Sequence, residues 1–258
     1  MKRLAIVAIC AGLIVAVIGC SDDNGGTATA ASSSSAAAST SEEAMDMSAF
    51  GKLPTPPAAA GAVDCLYPGD GEPAKPVKAP ETSGVTTSGT PKLTLTTNEG
   101  PIPVTLTPAV SPCTVNSFVS LSTQGYYNDT PCHRLSTSGL KILQCGDPTG
   151  TGTGGPGYGY DNEYPTTSYD SGDRAAQSPV VYPRGTLAMA NTGRPGSNGS
   201  QFFLVYDDSP LPPQYTVFGN IDPEGIATIE KVAKGGDDGS MSAGGGKPNT
   251  PVQIETVA

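Results

Sequence analysis

The stretch from Leu187 to Tyr206, LAMANTGRPGSNGSQFFLVY, constrains this chain more than any other. Two apolar runs flank a turn of glycine, proline and asparagine, which reads as two β-strands and their connection. Side chains alternate along a strand, so Gln201 and Phe203 share one face and Phe202 takes the other. One face is polar and aromatic; the other belongs to a core. Upstream, His133 to Asp147 (HRLSTSGLKILQCGD) gives a strand ending in Arg134, a turn of small residues, and a second strand on which Ile142 and Gln144 share a face. Downstream, Tyr215 to Gly219 (YTVFG) is again strand-like.

The rest of the chain divides by composition. Residues 1–20 carry Lys2 and Arg3, an apolar run from Leu4 to Ile18, then Gly19-Cys20. A short basic start and a short apolar run ending at a small residue indicate a secretory signal, not a spanning helix. Val17-Ile18-Gly19-Cys20 resembles a bacterial lipobox, in which cleavage leaves Cys20 as a lipidated N-terminus whose acyl chains hold the protein to a membrane. Residues 21–63, rich in Ser, Ala, Thr and Gly, cannot bury enough apolar surface to offset their ordering entropy and read as a flexible tether. About 43 such residues span on the order of 35–40 Å. Residues 64–90 are proline-rich, contain Cys65, and suggest an extended arm strapped to a domain at 91–258.

Within that domain, Leu93 and Leu95 alternate with polar residues, Asn98-Glu99-Gly100 makes a turn, and Ile102, Val104 and Leu106 alternate again, which is a hairpin. Ser111 as N-cap and Pro112 at the first helical position start a helix with Val115, Phe118, Val119 and Ser122 on one stripe, and Gly125 stops it. Asp222-Pro223 begins a second helix with Ile226, Ile229 and Val232 on one side, and Val252 with Ile254 suggests a closing strand. Residues 146–184 are mostly glycine, proline, tyrosine and small polar residues, an unusually long stretch without regular structure.

Charge and residue types exclude several functions. The net charge is −10, becoming −12 once Lys2 and Arg3 leave with the signal, and no basic block remains to neutralise phosphates, so nucleic acid is not an expected partner. His133 is the only histidine, too little for a metal site or a Ser-His triad, and is expected to be structural. Gly244 to Lys247 lacks the Ser or Thr of a phosphate loop, since Pro248 follows the lysine. Asn128-Asp129-Thr130 and Asn198-Gly199-Ser200 fit the glycosylation pattern but are expected to stay unmodified in a bacterial lipoprotein.

The blocks HR, LQCGD, MANTG, NGSQFF and VFG, in this order, resemble the cyclophilins, here in an exported lipoprotein form like that of actinobacteria. The resemblance covers about Pro91 to Ala258. It implies a mainly β fold: an eight-stranded antiparallel barrel capped by two helices, with Gly150 to Tyr158 as a glycine-rich rim of a substrate groove. It implies peptidyl-prolyl isomerase activity with no cofactor and no metal, proline-containing peptides and unfolded exported proteins as substrates, and a monomer on the outer face of a bacterial cell membrane.

Carried over by position, Arg134 is similar to the family's catalytic arginine and Gln144 to the glutamine that orients it. Ile142 stands for a pocket methionine and Phe203 for the phenylalanine of the pocket floor. Ala190, Asn191 and Thr192 match the strip that binds substrate backbone. Gln201 matches a groove glutamine, Leu211 a wall leucine, Tyr215 a frequent histidine and Gly152 a rim glycine. Three departures stand out. The Arg134 to Gln144 spacing is two residues longer, Lys141 falls where a pocket phenylalanine is usual, and Pro210 replaces a frequent tryptophan, so weak cyclosporin binding is expected. Lys141, Thr192, which stands for a usual alanine, and Pro210 keep a second reading open, a proline-peptide binding or adhesion module with little turnover.

Of the six cysteines, Cys10 and Cys20 lie in the N-terminal segment, which leaves Cys65, Cys113, Cys132 and Cys145 for two disulfides in an exported domain. If Arg134 faces Gln144, then Cys132 faces Gly146 while Cys145 points to the opposite face. That disfavours a Cys132–Cys145 bridge and gives Cys65 and Cys113 as the partners, in either order.

Overall fold

Alternation of small apolar and polar residues produces the first hairpin: β2 (Lys92–Thr97) pairs antiparallel with β3 (Gly100–Leu106), and Thr97 faces Gly100 across a two-residue turn. Leu95, Ile102, Val104 and Leu106 point into the core. In the computed structural model, which describes residues 45–57 and 61–258, ten further strands surround this hairpin. They are β1 (Gly51–Lys52), β4 (Thr130–Pro131), β5 (Arg134–Ser136), β6 (Ile142–Cys145), β7 (Val180–Tyr182), β8 (Thr186–Met189), β9 (Phe202–Val205), β10 (Ser209–Leu211), β11 (Val217–Ile221) and β12 (Gln253–Val257).

Nine strands form one sheet in the order β4-β12-β2-β3-β11-β8-β9-β6-β5, every pair antiparallel. The two outermost strands, β4 and β5, are consecutive in sequence and separated only by Cys132 and His133. One bent segment, residues 130–136, thus forms both edges and closes the sheet on itself. Counting it once gives the eight-stranded antiparallel barrel. Closure leaves no long open edge for unwanted strand pairing.

Phe118, Tyr127, Phe202 and Phe218 fill the interior, with the Phe118 ring centroid 5.1–5.3 Å from those of the other three. Phe118 comes from α1 (Pro112–Thr123), which packs against β11 and β12. The helix ends as its sequence suggests: Gly125, at φ +72°, and Tyr126 donate to the Ser122 and Leu121 carbonyls. Its start differs from expectation. The Ser111 hydroxyl donates to the Val217 carbonyl instead of capping, and the Glu163 carboxylate accepts from Cys113 N, Thr114 N and Thr114 Oγ1 at 2.7–3.0 Å. A cap 49 residues distant leaves no local sequence signal. Burial pushes the Glu163 pKa up, only partly offset by these donors. The second helix, α2 (Pro223–Ala233), lies on β3 with Ile226, Ile229 and Val232 buried, as its periodicity predicts. Gly225 permits that approach: a Cβ there would come 2.9 Å from methyl groups of Ile102 and Ile221.

Both disulfides form, with a pairing that corrects the sequence expectation: Cys65–Cys113 and Cys132–Cys145. The assumed register holds, since Arg134 faces Gln144 and Ser136 faces Ile142. It stops at Arg134, however. Cys132 already belongs to the part of the chain that donates to Val252 next to β12, so the bend turns it toward Cys145, with 4.0 Å between their Cα atoms. Extrapolating the pleat across a bend gave the wrong face.

Two further segments differ from the reading of composition. The stretch expected to be a tether at 21–63 contributes a strand near its end, since β1 pairs parallel with β7. Residues 1–44, which include the signal and lipobox, lie outside the described residues. The long segment 146–184 is pinned by Tyr158, Tyr160 and Tyr164, all buried, and supplies β7. Replacing Cys132 and Cys145 together by serine is expected to cost about 2–4 kcal/mol, since the bridge closes the bend that seals the barrel. Urea denaturation of the full chain checks this, and a midpoint equal to that of the wild type would refute it.

Candidate functional site

The outer face of the strands β6, β8 and β9 carries a second apolar cluster, separate from the barrel interior. Ile142, Ala188, Phe203 and Val205 form its base, and Val180, Tyr182 and Leu211 come from the small sheet β1-β7-β10. Ala190 and Tyr215 pack at its margin, with the Tyr215 ring 5.6 Å from Phe203 and nearly perpendicular to it. The pleat splits the pair as predicted, since Phe202 faces the interior cluster and Phe203 the outer one.

Beside this apolar seat lies a row of polar side chains. Arg134 Nη1 donates to Gln144 Oε1 at 3.3 Å, and Gln144 Nε2 to Gln201 Oε1 at 3.2 Å. Gln201 Nε2 in turn donates to the carbonyls of Gly152 and Gly154 at 2.9 and 3.0 Å. The register places these groups: Arg134 faces Gln144 across β5-β6, and Gln144 faces Phe203 across β6-β9. The Arg134 guanidinium also donates through Nε to Gly244 O at 3.1 Å and through Nη2 to Ala243 O at 3.0 Å. Three of its five N–H groups are thereby used, leaving one on each terminal nitrogen for a ligand. Burial lowers its pKa, opposed by Tyr215 and Asp237, but a guanidinium stays charged at neutral pH.

The rim is held by a residue that the sequence reading missed. Asp147, with no exposed surface, accepts from Thr149 N and Oγ1, Gly152 N and Gly154 N at 2.7–3.1 Å. Burial alone would raise its pKa, yet these donors outweigh it and hold the carboxyl below its ordinary 3.8. A Cβ at Gly154 would fall 2.0 Å from Asp147 Oδ1, so glycine is required there. The available signal was the run of alternating Thr and Gly after an Asp, since small residues let backbone N–H groups converge on one carboxylate. His133 is buried beneath Gly152, and burial lowers its pKa, so it is neutral at pH 7.

The remaining residues expected at the site fall on the same face. Asn191 Nδ2 donates to Gln214 O at 2.8 Å, fixing the strip of Ala190, Asn191 and Thr192, and Thr192 is exposed at its end. Lys141 does not enter the apolar seat. Its ammonium turns back to the Thr137 carbonyl, and Leu140 packs against the apolar cluster instead. The two additional residues in the Arg134 to Gln144 connection shift which side chain arrives. Pro210 sits half-buried on β10 opposite Val181.

A family model described as cyclophilin type peptidyl-prolyl cis-trans isomerase/CLD matches residues 92–258. The chain belongs to this family. It is 55% identical over 200 residues to the protein named "Probable peptidyl-prolyl cis-trans isomerase B" of Mycobacterium leprae, covering 76% of this chain and 66% of that protein. With the protein of the same name from Mycobacterium tuberculosis it shares 53% identity over 209 residues, covering 79% of this chain and 66% of the relative. The match thus spans slightly under two thirds of these relatives' length. Among solved structures, a Cryptosporidium parvum cyclophilin type peptidyl-prolyl cis-trans isomerase superposes with a TM-score of 0.53 at 31% identity, covering 66% of this chain and 97% of that one. The same protein was also solved in the presence of the dipeptide Ala-Pro.

Asp147 offers a test of the rim. Its folded-state pKa is depressed, so its carboxylate stabilises the protein above about pH 4, and that contribution is lost as pH falls through the folded value. Asp147→Asn is expected to cost about 1–3 kcal/mol at pH 7 and to flatten the acid side of the stability curve. Urea midpoints from pH 2 to 7 check it; parallel curves for the two proteins would contradict the assignment.

Proposed function

We propose that this cyclophilin is a peptidyl-prolyl cis-trans isomerase acting on exported proteins as they fold. One observation carries the reading: Arg134 and Gln144, paired across β5-β6, stand beside the apolar seat of Ile142, Phe203 and Leu211. Rotation about an X-Pro bond faces a barrier of roughly 18–20 kcal/mol because the amide loses its resonance. No covalent step is needed. A catalyst must bind the twisted amide better than either planar form. The apolar seat takes the proline ring and excludes water, while the strip at Ala190 to Thr192 and Gln201 hold the flanking backbone. The free N–H groups of Arg134 point their donors at the amide, whose nitrogen becomes a better acceptor as resonance is lost. A 10⁵-fold acceleration needs about 7 kcal/mol of such preference.

In this role Arg134 is the catalytic residue, and Gln144 positions it through Nη1. Arg134→Ala in the full chain is expected to lower kcat/KM about 100-fold while peptide binding persists, as measured by exchange NMR on a proline peptide. Turnover near the uncatalysed rate in both proteins would instead favour a binding module. The same assay with cyclosporin as titrant is expected to give weak inhibition, because Pro210 provides no indole.

We further propose that Cys20 is lipidated, placing a monomeric domain on the outer face of the cell membrane. Support comes from the Val17-Ile18-Gly19-Cys20 pattern and from two disulfides, which suit an oxidising compartment. Fractionation of cells producing Cys20→Ser is expected to move the protein from the membrane to the soluble fraction; unchanged membrane association would exclude this anchor.

A further inference from the structure

The family match begins at Lys92, yet the groove is not built from the family domain alone. The proline-rich arm runs along the glycine-rich rim. Asp70 N donates to Gly157 O at 2.9 Å, Ala74 N to Gly155 O at 2.8 Å, and Gly159 N to Pro68 O at 2.9 Å. The arm is fastened at its start by the Cys65–Cys113 disulfide and by Tyr67, whose hydroxyl donates to Cys113 O and whose ring contacts Tyr158 and Tyr160 edge-on. It is a fixed part of the surface.

Arm and domain together line an open pocket of about 590 Å³. Its domain side is made by Gln144, Ala190 to Thr192 and Gln201, the same groups that line the groove next to the proline seat; its opposite side includes Asp70, Gly71, Glu72 and Ala74 from the arm. The charged residues of its lining are Asp70, Glu72 and Arg194. Arg194 lies 3.8 Å from Asp70, with both side chains more than half exposed, a weak pairing that an incoming cation can replace. Glu72 is exposed and makes no ion pair among the described residues.

We propose that the arm is the outer wall of the substrate groove and selects client segments that carry a basic residue near the proline. This rests on the isomerase reading and adds to it a substrate class. A lysine or arginine beside the proline reaches Glu72 and competes with Arg194 for Asp70. An acidic residue in the same place meets two carboxylates. The contacts are solvent-exposed, so the discrimination is modest and screened by salt.

The test uses the full chain and short peptides with one proline, bearing Lys, Gln or Glu at each of the three positions on either side of it. kcat/KM is read by exchange NMR and Kd by NMR titration. At low ionic strength, Lys is expected to be favoured over Glu by about fivefold at one or more positions. That ratio is expected to approach one in Asp70→Asn/Glu72→Gln and in about 1 M salt, and to widen in Arg194→Gln. Equal values for Lys and Glu, or a ratio that survives the double substitution, would overturn the wall while leaving the isomerase standing. Absence of turnover with every peptide would remove the isomerase reading, and the Kd ratio would still decide the wall.

Discussion

The bend at Cys132 and His133 is the constraint on which the rest of this structure depends. On one side of it the chain pairs with β12, and on the other with β6, so one short segment supplies both edges of the sheet. The Cys132–Cys145 bridge ties the bend to the strand beside it. Closure of the barrel and the position of Arg134, the first residue after the bend, are consequently one event. The backbone of an arginine placed there is set by the barrel itself.

The polar row shows how a buried charge organises a surface it never touches. Asp147 gathers the backbone N–H groups of the rim, which turns the Gly152 and Gly154 carbonyls toward Gln201. Gln201 then accepts from Gln144, and Gln144 from Arg134. Each amide side chain has its donor and acceptor ends fixed by its neighbours, so the guanidinium meets a row with one orientation. From the other side, the carbonyls of Ala243 and Gly244 fix the remaining edge. A glycine-rich segment that lacks a phosphate-loop pattern thus has a positioning role.

Local physics made much of this legible in the sequence. The alternation in β2, β3 and β9, the glycine that ends α1, and the apolar stripe of α2 are dictated by side-chain periodicity and by φ alone, and all appear as read. The Arg134–Gln144 pairing was legible because both residues lie on adjacent strands of one hairpin. Where the hairpin ends, so does the local signal: continuing the pleat puts Cys132 on the wrong face, because the chain has already bent. Nothing local marks Leu140 as a neighbour of the apolar seat, because a two-residue enlargement of the turn changes which side chain packs there. The Glu163 cap on α1 could not be found, since its partners are 49 and 50 residues away.

By itself, the sequence determined the main hairpins and both helices, which of their faces are apolar, and which family the chain resembles, because these depend on periodicity, turn chemistry and short motifs. Only the tertiary structure decided the disulfide pairing, the clamp of Ala243 and Gly244 on Arg134, and the arm's place beside the groove. Each of these joins residues far apart in the chain, and such contacts are fixed by how the closed barrel packs, not by any local preference.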